Sequence, residues 1–127
     1  MQAALNAATA NATITLLGSN ISEGTVKLPA ELKNITIKGD GETTVLKDTT
    51  IMAADGTTLN YDGLTFDGIV FDNSNIVLTG WRTSASFSNL TITNCVFKNV
   101  VRDSNNQAAV HINVSDDNGE AINGFTE

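Results

Sequence analysis

Leu64-Thr65-Phe66-Asp67-Gly68-Ile69-Val70-Phe71-Asp72-Asn73 and Leu90-Thr91-Ile92-Thr93-Asn94-Cys95-Val96-Phe97-Lys98-Asn99 agree at five of ten positions, 26 residues apart. A stretch that returns at a fixed offset marks a stacked repeat. Fainter copies flank it: Ile14-Thr15-Leu16, Ile35-Thr36-Ile37 and Ile112-Asn113-Val114 share the apolar-polar-apolar order of Leu64-Thr65-Phe66 and Leu90-Thr91-Ile92. Strand alternation turns the outer two side chains of each triplet one way and the middle one the other. Stacking five such triplets gives an apolar column inside and a Thr column outside.

Further short strands fill each repeat. Thr44 to Leu46, Ile69 to Phe71 and Cys95 to Phe97 form a second set, and Thr49 to Met52 with Asn75 to Thr79 a third. Turn residues separate them: Gly39 to Glu42, Gly68 or Asn94, and Asn73 or Asn99. Three short strands per repeat predict an all-β fold, a parallel β-helix of about five coils in which each strand pairs with its counterpart one coil on. The rule for parallel crossovers makes it right-handed. A β-sandwich also alternates, but it has no reason to repeat a motif at a 26-residue offset. Asn tolerates left-handed corners and can bond to its copy in the next coil, and Asn73 over Asn99 is the expected ladder.

At the start, Gln2 to Ala10 is Ala-rich, with Leu5 and Ala8 on one helical face. Residues 1–12 are therefore expected to be a capping helix and residues 13–127 the coils. At the other end, Ile112 to Phe125 can be laid on Ile35 to Asp48, so the last coil stops after its second strand. A single β-helix domain cut from a longer protein is expected. Its open coil edges predict end-to-end self-association.

Composition narrows the function classes. The 127 residues carry 7 Lys and Arg against 14 Asp and Glu, a net charge of −7, which lacks the basic face that nucleic acid or anionic lipid requires. The 15 Asn and 17 Thr are too many for a helical bundle. A single Cys excludes a disulfide framework and a Cys-clustered zinc site. No apolar run is long enough for a membrane span, and Met1 to Leu17 lacks the basic start and apolar run of a secretory leader.

The segments QAALNAATANATITL (2–16), NITIKGDG (34–41), GLTFDGIVF (63–71) and NLTITNCVFKN (89–99) resemble the opening coils of right-handed parallel β-helix proteins of the pectate-lyase-like superfamily. They are more closely similar to the β-helical regions of large bacterial surface and adhesin-like proteins. That resemblance implies an extracellular or cell-surface location and a non-catalytic structural or adhesive module, with a polysaccharide or a host or cell-surface protein as partner. It also implies an alternative, a fragment of a polysaccharide lyase or glycoside hydrolase whose groove lies on other coils. The shared residues build coils, so they specify fold rather than activity.

The chemistry-bearing residues are few. Lyases of this kind need cations or Ca²⁺ to neutralise a uronate and a basic group to take its proton. Arg82, Lys98 and Arg102, with Asp103, are the only basic cluster, and Lys98 is expected one coil above Asp72 as an exposed ion pair. Asp67 with Asp72, or Asp116 with Asp117, could supply two carboxyls, yet none sits in an apolar setting that would keep one protonated. Asp116 to Glu120 lacks EF-hand spacing. His111 is expected to face outward between Val110 and Ile112, and Cys95, aligned with Ile69, to be a small buried hydrophobe. No catalytic residue, metal or cofactor is assigned. The candidate ligand-binding set is Trp81, Arg82, Arg102 and Asp103, with Trp81 in a polar loop from Gly80 to Ser88 where its ring could stack on a sugar. Against this, Trp81 and Phe87 could fold back on the coil wall as a satellite cluster. An ice-binding array needs regular T-x-T strands, and only Thr13-Ile14-Thr15 and Thr91-Ile92-Thr93 have that form.

Overall fold

A computed structural model describes residues 1–55, 58–81, 84–100, 108–115 and 125–126. After a short helix α1 (Gln2–Ala7), the first pass of the chain lays down β1 (Thr13–Thr15), β2 (Thr25–Lys27) and β3 (Glu31–Lys33). The second adds β4 (Thr36–Lys38), β5 (Val45–Lys47), β6 (Thr50–Met52) and β7 (Thr58–Asp62). β8 (Thr65–Asp67), β9 (Val70–Asp72), β10 (Asn75–Trp81) and β11 (Ser84–Ser88) make the third. β12 (Thr91–Thr93), β13 (Val96–Lys98), β14 (Val110–Ser115) and β15 (Phe125–Thr126) follow. Every pairing between them is parallel, in four sheets: β1-β4-β8-β12, β5-β9-β13, β2-β6-β10-β14 and β3-β7-β11-β15. An isolated bridge from Ile21 to Leu46 extends the β5 sheet to the first pass. The chain is therefore a parallel β-solenoid with four walls and about three turns, not five coils.

The turn count falls because the fifth triplet, Ile112-Asn113-Val114, lies in the β2-β6-β10-β14 sheet and starts no new turn, and each turn has four sides rather than three. The fourth side is β3-β7-β11-β15, and β11 occupies part of the segment expected to be a polar loop from Gly80 to Ser88. Phe87 on β11 is buried and stacks on Tyr61 of β7, with ring centroids 5.3 Å apart. Two of the five triplets also move. Ile14 pairs with Ile37 rather than Ile35, and Ile112 pairs with Leu78 in another sheet, so Ile112 does not stand in the column of Ile35. The pairing of Thr91 with Thr65 holds, and the Thr91 amide donates to the Leu64 carbonyl at 2.9 Å.

Five-residue sides explain the packing. Tyr61 at the end of the second pass and Phe66, Phe71 and Ile76 in the third fall five residues apart, one at the inward centre of each side, and all are buried. Leu64 and Ile69 fill the corners between them. Corners need a left-handed residue, and Asn34, Asp48, Asn73, Asn89, Asn94 and Asn99 take φ between 46° and 57° there, where short polar side chains pay least. Where a corner side chain faces inward, a hydroxyl satisfies the backbone: the Thr49 amide donates to Ser74 Oγ at 2.9 Å, and Ser74 Oγ donates to the Leu46 carbonyl at 2.9 Å. Cys95 occupies the column of Ile69 as expected, but it is half-buried and its thiol points to the Thr93 carbonyl at 3.2 Å.

α1 ends at Ala7, short of the expected Ala10. Its Leu5 is fully buried beneath the first turn. Gln2 Nε2 donates to the Lys27 carbonyl at 2.6 Å while Gln2 Oε1 accepts from the Lys27 amide at 2.8 Å. Those are the backbone groups β2 leaves open at the edge of its sheet.

Truncation of Phe71, buried and stacked on Phe97 with centroids 4.5 Å apart, removes a rung shared by two coils. Phe71→Ala should cost about 3 to 5 kcal/mol by urea unfolding, whereas Val96→Ala, at a position 51% exposed, should cost well under about 1 kcal/mol. Gly39→Ala should also destabilise, because a Cβ there would lie 2.3 Å from the Gly68 carbonyl oxygen.

Candidate functional site

The outer wall carries the polar chemistry. Lys33 ends β3 of the first pass, Lys38 and Lys47 end β4 and β5 of the second, and in register above them stand Asp62, Asp67 and Asp72. Each carboxylate accepts an amide from the corner of the next pass: Asn89 to Asp62 at 2.9 Å, Asn94 to Asp67 at 3.0 Å, Asn99 to Asp72 at 2.8 Å. Two more amides donate one coil down, Asn34 to Asn11 at 3.0 Å and Asn73 to Asp48 at 2.8 Å. The expected Asn73–Asn99 ladder is thus replaced by Asn-to-Asp bonds. A carboxylate accepts more strongly than a neutral amide oxygen, and an Asp stands one residue before the corner in the coil below. Lys98 does register with Asp72, but that carboxylate takes Asn99. Among the described residues the ion pairs are Met1 with Glu23 and Lys27 with Asp55.

These bonds shape the acidity of the wall. The Asn89 amide, then the Ser88 hydroxyl, hold Asp62 below the usual carboxylate range, with a smaller contribution from Lys33. Asp40 is lowered by the hydroxyls of Thr43 and Thr44, and its Oδ1 accepts the Thr44 amide at 2.8 Å. That carboxylate folds the six residues between β4 and β5 into a compact loop. Burial pushes the Tyr61 hydroxyl up, and its oxygen accepts the Ala54 amide at 3.0 Å. Stabilised carboxylates are the reverse of what a general acid needs.

Beside the Asp40 loop lies an open groove of about 400 Å³, between Thr15 to Gly18 of the first turn and Lys38, Gly39, Asp40 and Thr44 of the second. Leu17 stands at its lip, 86% exposed. Among the described residues no three His, Cys, Asp or Glu side chains converge as a metal set would require.

Of the sequence-predicted residues, Trp81 ends β10, where its backbone registers with Ser115 of β14. Arg82, Arg102, Asp103 and Asp116 to Glu120 lie outside the described residues. His111 registers with Val77, on the face opposite the inward Ile76 and Leu78, and is half-buried. Asp67 and Asp72, weighed as a carboxyl pair, each hold a corner amide instead. The five-residue rhythm of Asp62, Asp67, Asp72 and of Asn89, Asn94, Asn99 was open to reading as a signal, and the triplet reading passed over it.

No protein-family model matches the chain, and no curated protein and no solved structure matches it either.

The sign of the pH effect follows from the lowered carboxylates. A group whose folded pKa is depressed lends stability above its unfolded value, near 3.8, and loses it as pH falls through the folded value. The urea midpoint should therefore drop on acidification below about pH 4. Asn89→Ala should shrink that drop by releasing Asp62, and parallel profiles for the variant and the parent would rule out the Asn89 bond as the cause.

Proposed function

We propose that the chain is a non-catalytic structural or adhesive module of a bacterial cell-surface or secreted protein. In this reading it is a right-handed β-helix of the pectate-lyase-like kind that presents a side wall to a polysaccharide or a surface protein. The observation that carries the reading is the use of the wall's polar groups. Asp48, Asp62, Asp67 and Asp72 are each engaged by an Asn of the neighbouring coil. Groups locked to one another across coils stiffen a rod, whereas catalysis needs titratable groups converging on a free reacting atom. The open sides of such a rod are repeated and flat, which suits contact with an extended partner.

Trp81, Arg82, Arg102 and Asp103 are the ligand-facing set of this proposal. An aromatic ring with an adjacent guanidinium suits a sugar face bearing hydroxyl or carboxylate groups.

Incubation of the purified chain with pectin, alginate and chondroitin sulfate should release no unsaturated or reducing ends, while immobilised polysaccharide or surface protein should retain it. Retention should fall at least about tenfold with Trp81→Ala, the loss of one hot-spot contact. Turnover of any of the three polymers would overthrow the non-catalytic reading in favour of a lyase or hydrolase.

A further inference from the structure

The first and second passes part at one corner. β1 and β4 stay in register up to Thr15 with Lys38, and the Leu16 amide donates to the Lys38 carbonyl at 2.8 Å. The next backbone bond between the two passes runs from the Val45 amide to the Gly18 carbonyl at 3.3 Å. Between those bonds the lower pass advances two residues, from 16 to 18, and the upper pass seven, from 38 to 45. The surplus is tied to the coil above it. The Gly39 amide donates to the Asp67 carbonyl at 2.8 Å and the Gly41 amide to the Gly68 carbonyl at 2.7 Å. Gly39 permits that approach, since a Cβ there would lie 2.3 Å from the Gly68 oxygen. The space is left below the loop, and it is the groove of about 400 Å³ lined by Thr15 to Gly18, Lys38 to Asp40 and Thr44. Both walls are internal segments, described without a break.

The groove is preformed, and its polar groups are unequal. Asp40 is engaged within its own loop, accepting from the amides and hydroxyls of both Thr43 and Thr44. Lys38 makes no ion pair among the described residues, and its register partner in the coil below is the exposed Thr15. An ammonium and a hydroxyl thus stand one rung apart on the outer face, and the exposed Leu17 follows two residues beyond Thr15. Asp67 above Lys38, and Asp40 beside it, keep the surroundings negative, so a second charge on an anionic ligand would be repelled. One carboxylate fits, and a polyanion does not.

We propose that this groove binds a compact branched-chain monocarboxylate, with its carboxylate on Lys38 and Thr15 and its hydrocarbon over Leu17. The volume lies in the range of small-molecule sites, and a sugar acid would set hydroxyls against the leucine. The site stands apart from Trp81, which ends β10 on another side, and does not depend on the polysaccharide reading.

The test is a titration of the isotope-labelled chain, followed through amide NMR shifts, with 4-methylpentanoate as the probe. The Leu17, Gly18 and Gly39 amides should move together and saturate by about 10 mM, the weak affinity expected of a small ligand with few contacts. 4-Methylpentanamide keeps the hydrocarbon without the charge and should bind at least about tenfold more weakly, as should 4-methylpentanoate to the Lys38→Gln chain. Galacturonate to the parent, and 4-methylpentanoate to Leu17→Ser, should each lose about tenfold as well. Both substitutions fall at exposed positions, and the spectra of the variants report whether the fold is kept. N-acetyl-leucine carries the same groups as a peptide terminus and should bind no more tightly than the free acid. Amides that do not respond, shifts that survive Lys38→Gln, or galacturonate binding as well as 4-methylpentanoate would each overturn the proposal. An advantage of about tenfold for N-acetyl-leucine would overturn it in favour of a peptide end.

Discussion

Everything in this molecule rests on coil-to-coil register. Most of its strands are three residues long, too short to hold together singly, and gain stability only because each is one rung of a parallel ladder shared with the coils on either side. Register is set at the corners. A left-handed residue at the end of each five-residue side returns the next side to the same phase, so Tyr61, Phe66, Phe71 and Ile76 all reach the axis. A slip of one residue would turn that whole set to water.

The polar exterior serves the same constraint. A corner amide bonded to the carboxylate of the coil below is formed only when the two coils are in register, so Asp62 with Asn89, Asp67 with Asn94 and Asp72 with Asn99 reinforce what the aromatic stacks select inside. Such exposed bonds add little energy singly, but they recur at three corners of one turn and discriminate against neighbouring registers. A surface organised this way suits a stiff spacer or a presenting face.

The ends obey a different logic from the wall. A coil in the middle has both edges met by neighbouring strands, whereas β2 has no strand on its outer edge among the described residues. α1 answers with a side chain that imitates a strand: the Gln2 amide carries a donor and an acceptor spaced to meet one residue's backbone pair. That imitation covers the outer edge of β2.

Much of the repeat was legible in the residues alone, since Leu64 to Phe71 and Leu90 to Phe97 share side-chain size and alternation, and β-period patterning reports which face is inward. The parallel stack with Thr65 beside Thr91 follows from that pattern. The fourth side did not declare itself, because Ser84-Ala85-Ser86-Phe87-Ser88 offers one large apolar residue and reads as loop until Tyr61 lies beneath Phe87. Ile14 and Ile112 were misplaced because a triplet carries no mark of its sheet, and only the number of residues spent at each corner assigns one. The candidate site divides the same way. Trp81, Arg82, Arg102 and Asp103 are nominated by residue type, a local property. The Asn-to-Asp bonds and the Gln2 clamp join residues about 25 positions apart, and only the pitch of the folded coil decides which of them meet.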